Sequence, residues 1–325
     1  MSGMRKSLAV GAITVLVGAT LAACGSSDDG GSDGGTKKIA FVQGVAGDQF
    51  YITMECGIRE EAKKTGAKVE VQGPQKFDPS LQKPIVDSVV ASKPDALLVA
   101  PTDVSAMEAP LKAAERAGIK VVLVDTTVKD PSFAASEISS DNVGGGEAAF
   151  KAIKELNPDG GKVLVVSTDP GVSTVDARVD GFKKATEADS SFEYLGVQYS
   201  HNEPAQAAKI VTAALQKDPD IVGVFATNLF AAEGTATGIR QAGKNGKVDI
   251  VGFDAGPDQV KALEDGTVQA LVAQSPGEIG TKGVQQALAA LDGKSTEKKI
   301  QTGFTIITKE NLDGEGGDAV YKDKC

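Results

Sequence analysis

Short apolar runs alternate with longer amphipathic segments from about residue 37 to the end of the chain. The short runs are rich in Val, Ile and Ala and are bounded by turn-forming residues, which predicts strands. The longer segments contain Ala, Lys, Glu and aliphatic residues, which favour helices. The expected strands are Ile39–Val42, Val69–Val71, Ala96–Ala100, Val121–Val124, Val163–Val166, Tyr194–Val197, Ile221–Phe225, Ile250–Phe253 and Leu271–Ala273. The expected helices are Tyr51–Thr65, Leu81–Ser92, Ala106–Ala117, Gly145–Leu156, Val175–Ala188, Ala205–Gln216 and Ala231–Ala242.

The alternation of strands and helices predicts an α/β fold. Parallel strands that are joined through helices bury both faces of their sheet, so their sequences are continuously apolar. About nine such strands are expected, with a break near Ser136–Asn142. This number and the break indicate two doubly wound parallel-sheet lobes rather than one large sheet.

The first 23 residues have the pattern of a secretory signal peptide. Arg5 and Lys6 precede an apolar stretch from Leu8 to Leu21 that is too short and too rich in Gly, Ala and Thr for a comfortable membrane span. The sequence Leu-Ala-Ala-Cys-Gly that ends this region resembles the lipobox of bacterial lipoproteins, which implies lipidation of Cys24. The alternative is an ordinary signal peptide with a Cys by chance. Residues 24–36 are dominated by Gly, Ser and Asp, the composition of a flexible tether.

Composition and charge restrict the class of function. The chain has 34 Lys and Arg against 44 Asp and Glu, with a formal net charge of −10. This balance argues against a nucleic-acid partner, because phosphate binding needs clustered cations. One His and three Cys are too few for a zinc site or a His-based triad, so we expect no metal. The run Gly144–Ala149 mimics a dinucleotide fingerprint, but polar residues precede it, so we expect a helix cap and no cofactor.

The two cysteines beyond the amino-terminal segment are expected to pair. An exported chain enters an oxidising compartment, where disulfides form and persist. Cys56 lies on the first predicted helix and Cys325 is the last residue. A bond between them would pin the carboxyl-terminal tail to the first lobe. The alternative is two unrelated thiols, one buried and one exposed.

Polar side chains follow the carboxyl ends of the predicted strands. In open α/β sheets, ligands bind outside these ends. Each residue alone could be an ordinary turn or helix cap, because Asp, Asn and Ser favour both. Their repetition at strand after strand indicates one binding site. The residues are Asp48 with Phe50 and Tyr51, then Asp125, Asn202, Asn228, Asp254 and Gln274.

Several short motifs stand out as a set. They are Lys38–Val42 with Phe50-Tyr51, Ala100–Asp103, Val124-Asp125, Ser140–Gly145, Arg178–Phe182, Gly252–Asp254 and Ala273–Pro276. Together and in this order they resemble the type I periplasmic sugar-binding proteins of the ribose-binding protein group, over roughly residues 37–312. The resemblance implies a lipoprotein with two doubly wound parallel-sheet lobes joined by a hinge, which captures a small sugar or polyol as the lobes close. It also implies delivery of that ligand to the membrane permease of an ABC importer.

The resemblance further implies lobe boundaries and a set of binding residues. The first lobe would comprise residues 37–139 plus about 275–303, and the second 140–274 plus about 304–325. Carboxylates accept ligand hydroxyl groups, an arginine donates to two oxygens at once, and aromatic rings pack on the C–H face of a sugar. The implied ligand-binding residues are Asp48, Phe50, Tyr51, Asp125, Arg178, Asn202, Asn228, Asp254 and Gln274.

Two departures from the ribose-type pattern bear on the ligand. Thr126 stands where that pattern has Arg, and Asn202 falls near the place of an aromatic residue. These differences disfavour ribose and favour another pentose, a hexose or an open-chain polyol. Because Asp48, Asp125 and Asp254 would face a single Arg, a ligand amine is an alternative.

The implied role needs no catalytic residue and no cofactor. It places a monomer at the extracytoplasmic face of the membrane, held by its lipid anchor. A receptor that presents its ligand to a membrane sensor would share these sequence features. A secreted carbohydrate-active enzyme would use paired carboxylates instead. A repressor with the same core would need an amino-terminal DNA-binding module, where this chain has an export signal and a tether.

Overall fold

The computed structural model describes residues 35–325. This range contains twelve strands and ten helices. The strands are β1 (Lys38–Val42), β2 (Lys68–Gln72), β3 (Ala96–Val99), β4 (Lys120–Val124), β5 (Ser136–Ser140), β6 (Gly161–Ser167), β7 (Phe192–Tyr199), β8 (Ile221–Ala226), β9 (Asp249–Phe253), β10 (Ala270–Gln274), β11 (Lys299–Thr302) and β12 (Phe304–Ile307). The helices are α1 (Gln49–Thr65), α2 (Pro79–Ser92), α3 (Glu108–Arg116), α4 (Asn142–Leu156), α5 (Ser173–Glu187), α6 (Pro204–Lys217), α7 (Leu229–Gln241), α8 (Pro257–Glu264), α9 (Pro276–Leu291) and α10 (Glu315–Asp318). Strands and helices alternate except where β4 is followed by β5 and β11 by β12.

The strands form two six-stranded sheets with equivalent topology. Their orders are β11-β5-β4-β3-β1-β2 and β12-β10-β9-β8-β6-β7. All neighbouring strands are parallel except β12, which runs antiparallel to β10. We call the first sheet with α1–α3 and α9 the first lobe, and the second sheet with α4–α8 and α10 the second lobe. The predicted fold class, α/β with two doubly wound parallel-sheet lobes, is confirmed.

Three strands are not predicted by the apolar pattern. β5 (Ser136–Ser140) lies within the region where the sequence indicates a break, and the crossing into the second lobe follows it directly. Its side chains alternate between buried and half-buried positions, and Ile138 is its one aliphatic residue, so periodicity alone gives too weak a signal. β11 and β12 have only four residues each and lie at the edges of their sheets.

Apolar side chains cover both faces of each sheet. In the first lobe, Leu98 of β3 packs on the face that also buries Met54 and Ile58 of α1. Leu97, its neighbour, faces the opposite side, where it clusters with Leu111 of α3. Successive residues of a strand point to opposite faces, so a strand buried on both faces must be apolar throughout. This requirement explains why the sequence predicts the central strands well.

Three segments cross from one lobe to the other. The first follows β5, the second follows β10, and the third connects β11 to β12. The Ser140 hydroxyl donates to Oε1 of Gln274 at 2.8 Å, and the N–H of Asp141 donates to the carbonyl of Thr302 at 3.0 Å. Asp141 also caps α4, as predicted, by accepting from the N–H of Gly144 at 3.0 Å. The crossing segments are therefore bonded to one another and form the hinge region.

A disulfide joins Cys56 of α1 to Cys325, with the two Cα atoms 5.2 Å apart. The last residues of the chain thus leave α10 in the second lobe and end on the first helix of the first lobe. The predicted pairing is the one that the structure contains.

The predicted signal peptide (1–23), the predicted lipidation site Cys24 and nearly all of the predicted tether (24–36) lie outside the described residues. Within residues 35–325, no helix combines the length and the apolar character needed to cross a bilayer.

Candidate functional site

A cavity lies between the lobes, at the carboxyl ends of their strands. The space between its walls is about 410 Å³, its opening to solvent included. The structure brings together in its lining all of the residues predicted to bind ligand. These are Asp48, Phe50, Tyr51, Asp125, Arg178, Asn202, Asn228, Asp254 and Gln274.

Asp125 and Asp254 occupy equivalent positions in the two lobes. Each directly follows its strand, β4 or β9, and donates its backbone N–H to the adjacent strand, at the carbonyl of Ile138 or Val272. Both residues have left-handed φ angles, 64° and 77°, a conformation that costs a non-glycine residue roughly 1–3 kcal/mol. The same strained turn therefore presents one buried carboxyl group from each lobe to the cavity.

The loop after β1 leads into α1, whose amino-terminal cap is Asp48. The carboxylate of Asp48 accepts from the N–H of Phe50 at 2.8 Å and so satisfies one of the free donors at the helix start. Phe50 and Tyr51 occupy the first turn, with ring centroids 5.1 Å apart and ring planes at 81°. Both are buried and line the cavity with aromatic surface.

Burial opposes ionisation of the first-lobe carboxyl groups. Desolvation, reinforced by the negative charge of Asp254, raises the pKa of Asp48 to about 8. Desolvation also raises the pKa of Asp125 to about 6, although Arg178 and the hydroxyl of Tyr51 favour its charged form. At neutral pH the first lobe therefore offers a protonated Asp48 that can donate a hydrogen bond and an ionised Asp125 that accepts.

Arg178 reaches the cavity from α5, and its guanidinium is held in place by three neighbours. Nε donates to Oδ1 of Asn142 at 2.9 Å, and Nη1 donates to the carbonyl of Thr227 at 2.8 Å. The guanidinium also lies over the ring of Phe253, 3.7 Å from its centroid. Nη2 is buried without a hydrogen-bond partner among the described residues. A fixed cation therefore carries one unused donor nitrogen.

Asp254 is the centre of a hydrogen-bond network in the second lobe. Its Oδ1 accepts from Nε2 of Gln274 at 2.8 Å and from the hydroxyl of Tyr321 at 3.0 Å. Its Oδ2 accepts from the N–H of Leu229 at 3.0 Å. Gln274 in turn accepts from Ser140 at the hinge. The network fixes the Asp254 carboxylate and connects it to the hinge region.

Two asparagines complete the polar lining of the second lobe. Asn228 caps α7, because its Oδ1 accepts from the N–H of Ala231 at 3.2 Å. Its Nδ2 donates to Oδ1 of Asn202 at 2.7 Å. Asn202 follows β7 with a left-handed φ of 55°. Asn228 is fixed as the cap of α7, and its side chain therefore positions the carboxamide of Asn202.

Five lining residues are missing from the sequence prediction: Phe77, Thr168, Val172, Thr174 and Val175. Thr168 directly follows β6, so the rule of polar strand ends would have found it. Thr174 and Val175 precede Arg178 by four and three residues on α5, and such spacing places side chains on one helix face. Phe77 lies in the loop between β2 and α2, where no periodic signal applies.

The arrangement suits reversible binding of a small polar molecule. Acidic, amide and guanidinium groups meet in one space, and Phe50, Tyr51 and Phe77 supply aromatic surface beside them. Within residues 35–325, no group of three or more His, Cys, Asp or Glu side chains is placed to hold a metal ion.

Two topologically equivalent α/β lobes around one polar cavity define a two-lobed solute-binding protein. The chain belongs to the periplasmic binding protein domain family, whose model matches residues 39–295. Proteins of this family bind solutes and are not enzymes.

Known relatives agree with this assignment along almost the whole chain. The ribose import binding protein RbsB of Escherichia coli is 30% identical, over 94% of this chain and 99% of its own. An ABC transporter solute-binding protein from Agrobacterium vitis, solved with bound α-D-tagatopyranose, is 40% identical with a TM-score of 0.87, covering 88% of this chain and 100% of its own. A second protein from Agrobacterium vitis, solved with bound D-fucose, is 31% identical with a TM-score of 0.83, covering 88% of this chain and 100% of its own.

Proposed function

We propose that this protein is a lipid-anchored solute-binding protein that captures a monosaccharide at the extracytoplasmic face of the cell membrane and delivers it to the permease of an ABC importer. Residues 37–139 with about 275–303 would close on residues 140–274 with about 304–325. The side chains that would bind the sugar are Asp48, Phe50, Tyr51, Asp125, Arg178, Asn202, Asn228, Asp254 and Gln274.

The observation that carries the proposal is the presence of unpaired polar atoms in the cavity lining. Nη2 of Arg178 and Oγ1 of Thr168 are buried without hydrogen-bond partners among the described residues. An unpaired buried group costs about 1–3 kcal/mol, and a charged one more. Sugar hydroxyl groups both donate and accept, so a sugar can pair with the guanidinium, the hydroxyl and the surrounding carboxyl groups at once.

The position of Thr126 supports a sugar other than ribose. Thr126 is buried, and its hydroxyl donates to the carbonyl of Pro101 at 2.7 Å, so it does not replace the arginine donor of the ribose-type pattern. Two similar proteins hold α-D-tagatopyranose and D-fucose. We therefore propose a pyranose monosaccharide as the ligand, with D-tagatose as the first candidate.

Capture would proceed by closure of the lobes, because contacts between them surround the cavity. The N–H of Val104 donates to the carbonyl of Gly171 at 3.0 Å, and the N–H of Thr127 donates to Oγ of Ser173 at 2.9 Å. Lys76 and Glu203 form an exposed ion pair at 2.7 Å. A sugar that touches both lobes favours this closed state by its differential affinity for it.

A ligand screen tests the proposal. D-tagatose, D-fructose, D-fucose, D-arabinose and D-ribose are added separately to the purified protein, and the melting temperature is measured, because a ligand stabilises by RT ln(1 + [L]/Kd). We expect one of them to raise the melting temperature and to titrate with 1:1 stoichiometry by calorimetry. Recovery of the sugar unchanged distinguishes binding from turnover.

Variants of the two equivalent acids then test the site itself. Asp125→Ala and Asp254→Ala are each expected to weaken sugar binding by about 1–3 kcal/mol or more, whereas Asp159→Ala, in an exposed turn, leaves it unchanged. The proposal fails if no sugar in the panel binds, or if both variants bind as the parent does.

The anchor and the partner need a test in cells. Cys24→Ser is expected to move the protein from the membrane fraction to the soluble extracytoplasmic fraction, with sugar binding intact. Uptake of the labelled sugar should be lost when the gene is deleted. We further propose that the protein acts as a monomer, which light scattering of the purified protein tests. Retention of the Cys24→Ser protein in the membrane fraction would contradict lipid anchoring.

A further inference from the structure

The carboxyl-terminal tail (residues 319–325) passes from the second lobe to the first next to the cavity. The N–H of Tyr321 donates to the carbonyl of Ala255 in the second lobe at 2.9 Å. The N–H of the next residue, Lys322, donates to Oγ1 of Thr53 on α1 at 2.7 Å. Cys325 is then bonded covalently to Cys56 on the same helix. The tail is thus a fourth connection between the lobes, apart from the three segments of the hinge region.

Tyr321 is the residue at which this connection meets the binding site. Only 3% of its surface is exposed, and it is not part of the cavity lining. Its hydroxyl accepts from the N–H of Gln274 at 2.9 Å and donates to Oδ1 of Asp254 at 3.0 Å. Its ring lies 6.0 Å from that of Phe50. Burial raises the pKa of Tyr321 well above its usual value, which keeps the hydroxyl protonated as a donor.

The hydroxyl of Tyr321 changes what Asp254 can offer a ligand. A carboxylate accepts about four hydrogen bonds, and the protein supplies three donors to Asp254: the hydroxyl of Tyr321, Nε2 of Gln274 and the N–H of Leu229. Both donors from Tyr321 and Gln274 occupy Oδ1, so the remaining capacity is mainly at Oδ2. Asp254 can therefore accept a hydrogen bond from one ligand hydroxyl group, mainly at Oδ2.

We propose that Tyr321 is a positioning residue for ligand specificity, which acts through Asp254 and is held in place by the disulfide-closed tail. The inference rests on the proposed sugar-binding function. Tyr321 would then help to determine which sugar binds although it lies outside the cavity lining. Loss of the hydroxyl frees Oδ1 and allows the carboxylate to turn, so the site should lose affinity for its preferred sugar and discriminate less between epimers.

The experiment compares Tyr321→Phe with the parent protein. Phe keeps the ring against Phe50 and removes only the hydroxyl. The probes are D-tagatose and its C4 epimer D-fructose, titrated by calorimetry. We expect Tyr321→Phe to weaken binding of the preferred epimer about tenfold and to bring the two dissociation constants closer together. Tyr194→Phe, a half-buried tyrosine of β7 away from the cavity, is the matched control and should change neither.

A second measurement does not depend on any sugar. The amide of Leu229 is bonded to Asp254 and not to Tyr321, so its hydrogen exchange reports the position of the carboxylate. We expect faster exchange of this amide in Tyr321→Phe, and a smaller increase in Cys325→Ser, where the tail is no longer fixed. A purely structural role would lower the melting temperature without changing the epimer ratio or this amide. Failure of the parent to bind any sugar would contradict the proposed function, and the Leu229 amide would still decide whether Tyr321 positions Asp254. Unchanged Leu229 exchange, or an unchanged epimer ratio in a parent that binds sugar, would overturn the inference.

Discussion

The hydroxyl of Tyr51 donates to Oδ2 of Asp125 at 2.8 Å, and both side chains are buried. The bond joins the first turn of α1 to the end of β4, so two separate strand ends of the first lobe meet in one pair. Burial raises the pKa of Tyr51 well above its usual value, which keeps the phenol protonated as the donor. The pair gives Asp125 a neutral donor inside the protein, while Arg178 faces it from the second lobe.

Tyr51→Phe is expected to weaken sugar binding by about 1–3 kcal/mol, because it leaves a buried carboxylate without its neutral donor. The ring and its packing against Phe50 are kept, so the fold should persist. Calorimetric titration with the sugar found by the screen measures the effect. Tyr199→Phe, at the end of β7, provides the control, and equal affinities for Tyr51→Phe and the parent would show that the bond does not matter to binding.

Asp48 should make the stability of the sugar-free protein depend on pH. Its pKa is 3.8 when exposed and about 8 in the buried site, so between these values the folded state holds a proton that the unfolded state has released. The contribution of Asp48 to stability is therefore full below about pH 4 and is lost as the pH rises toward 8. Asp48→Asn, which is neutral at every pH, should give a flatter dependence of melting temperature on pH.

Two other acids with raised pKa values, the buried Asp125 and the half-buried Glu233, contribute a slope of the same sign, so the pH range of the measurement matters. Desolvation raises the pKa of Asp125 to about 6 and that of Glu233 to about 7. Asp48 is the one of the three with a pKa near 8, so the difference between parent and Asp48→Asn should be clearest from pH 7 to 8. Glu233→Gln is the control, since it should flatten the curve at lower pH. Parallel curves for Asp48→Asn and the parent above pH 7 would rule out a protonated Asp48.

The strand-end residues of the site could be predicted from sequence, because the end of a buried strand is visible where its apolar run stops. Asp125 and Asp254 directly follow such runs, and the parallel arrangement brings those ends to one edge of each sheet. Arg178 on α5 is predicted instead by its place in a family motif. Phe77 could not be predicted, since its place depends on the path of a loop rather than on a repeating pattern.

Tyr321 shows a second limit. It lies in a polar tail with no periodicity, and its approach to Asp254 depends on the packing of α10 and on the disulfide at Cys325. The pairing of Cys56 with Cys325 was predictable from the count of cysteines, but the crossing of the tail beside the cavity was not. β5 was missed for a related reason, because Ser136 and Ser140 are buried by neighbours rather than by their own apolar character.

The disulfide is expected to contribute to global stability. It closes a loop with a sequence separation of 269 residues, and removal of a native disulfide typically costs about 2–5 kcal/mol. A Cys56→Ser, Cys325→Ser double variant should unfold at a lower denaturant concentration than the oxidised parent. The parent in reducing agent should approach the variant, while the variant itself should not respond to reductant. Identical unfolding midpoints for all samples would show that the bond adds nothing to stability.

The close packing of α1 against α9 yields a matched pair of glycine variants. A Cβ at Gly57 of α1 would lie 2.0 Å from the carbonyl oxygen of Gly277 on α9, whereas a Cβ at Gly277 would meet nothing nearer than 3.7 Å, at the carbonyl of Thr53. Gly57→Ala must therefore push the helices apart, and overpacking of this kind costs about 1–3 kcal/mol or more. Gly277→Ala should be neutral or stabilising by up to about 1 kcal/mol, because alanine favours the helix.

Since α1 carries Phe50 and Tyr51, Gly57→Ala should also weaken sugar binding, and Gly277→Ala should not. Denaturant unfolding and calorimetry measure both effects, and equal stability of the two variants would contradict the close approach of the helices at Gly57.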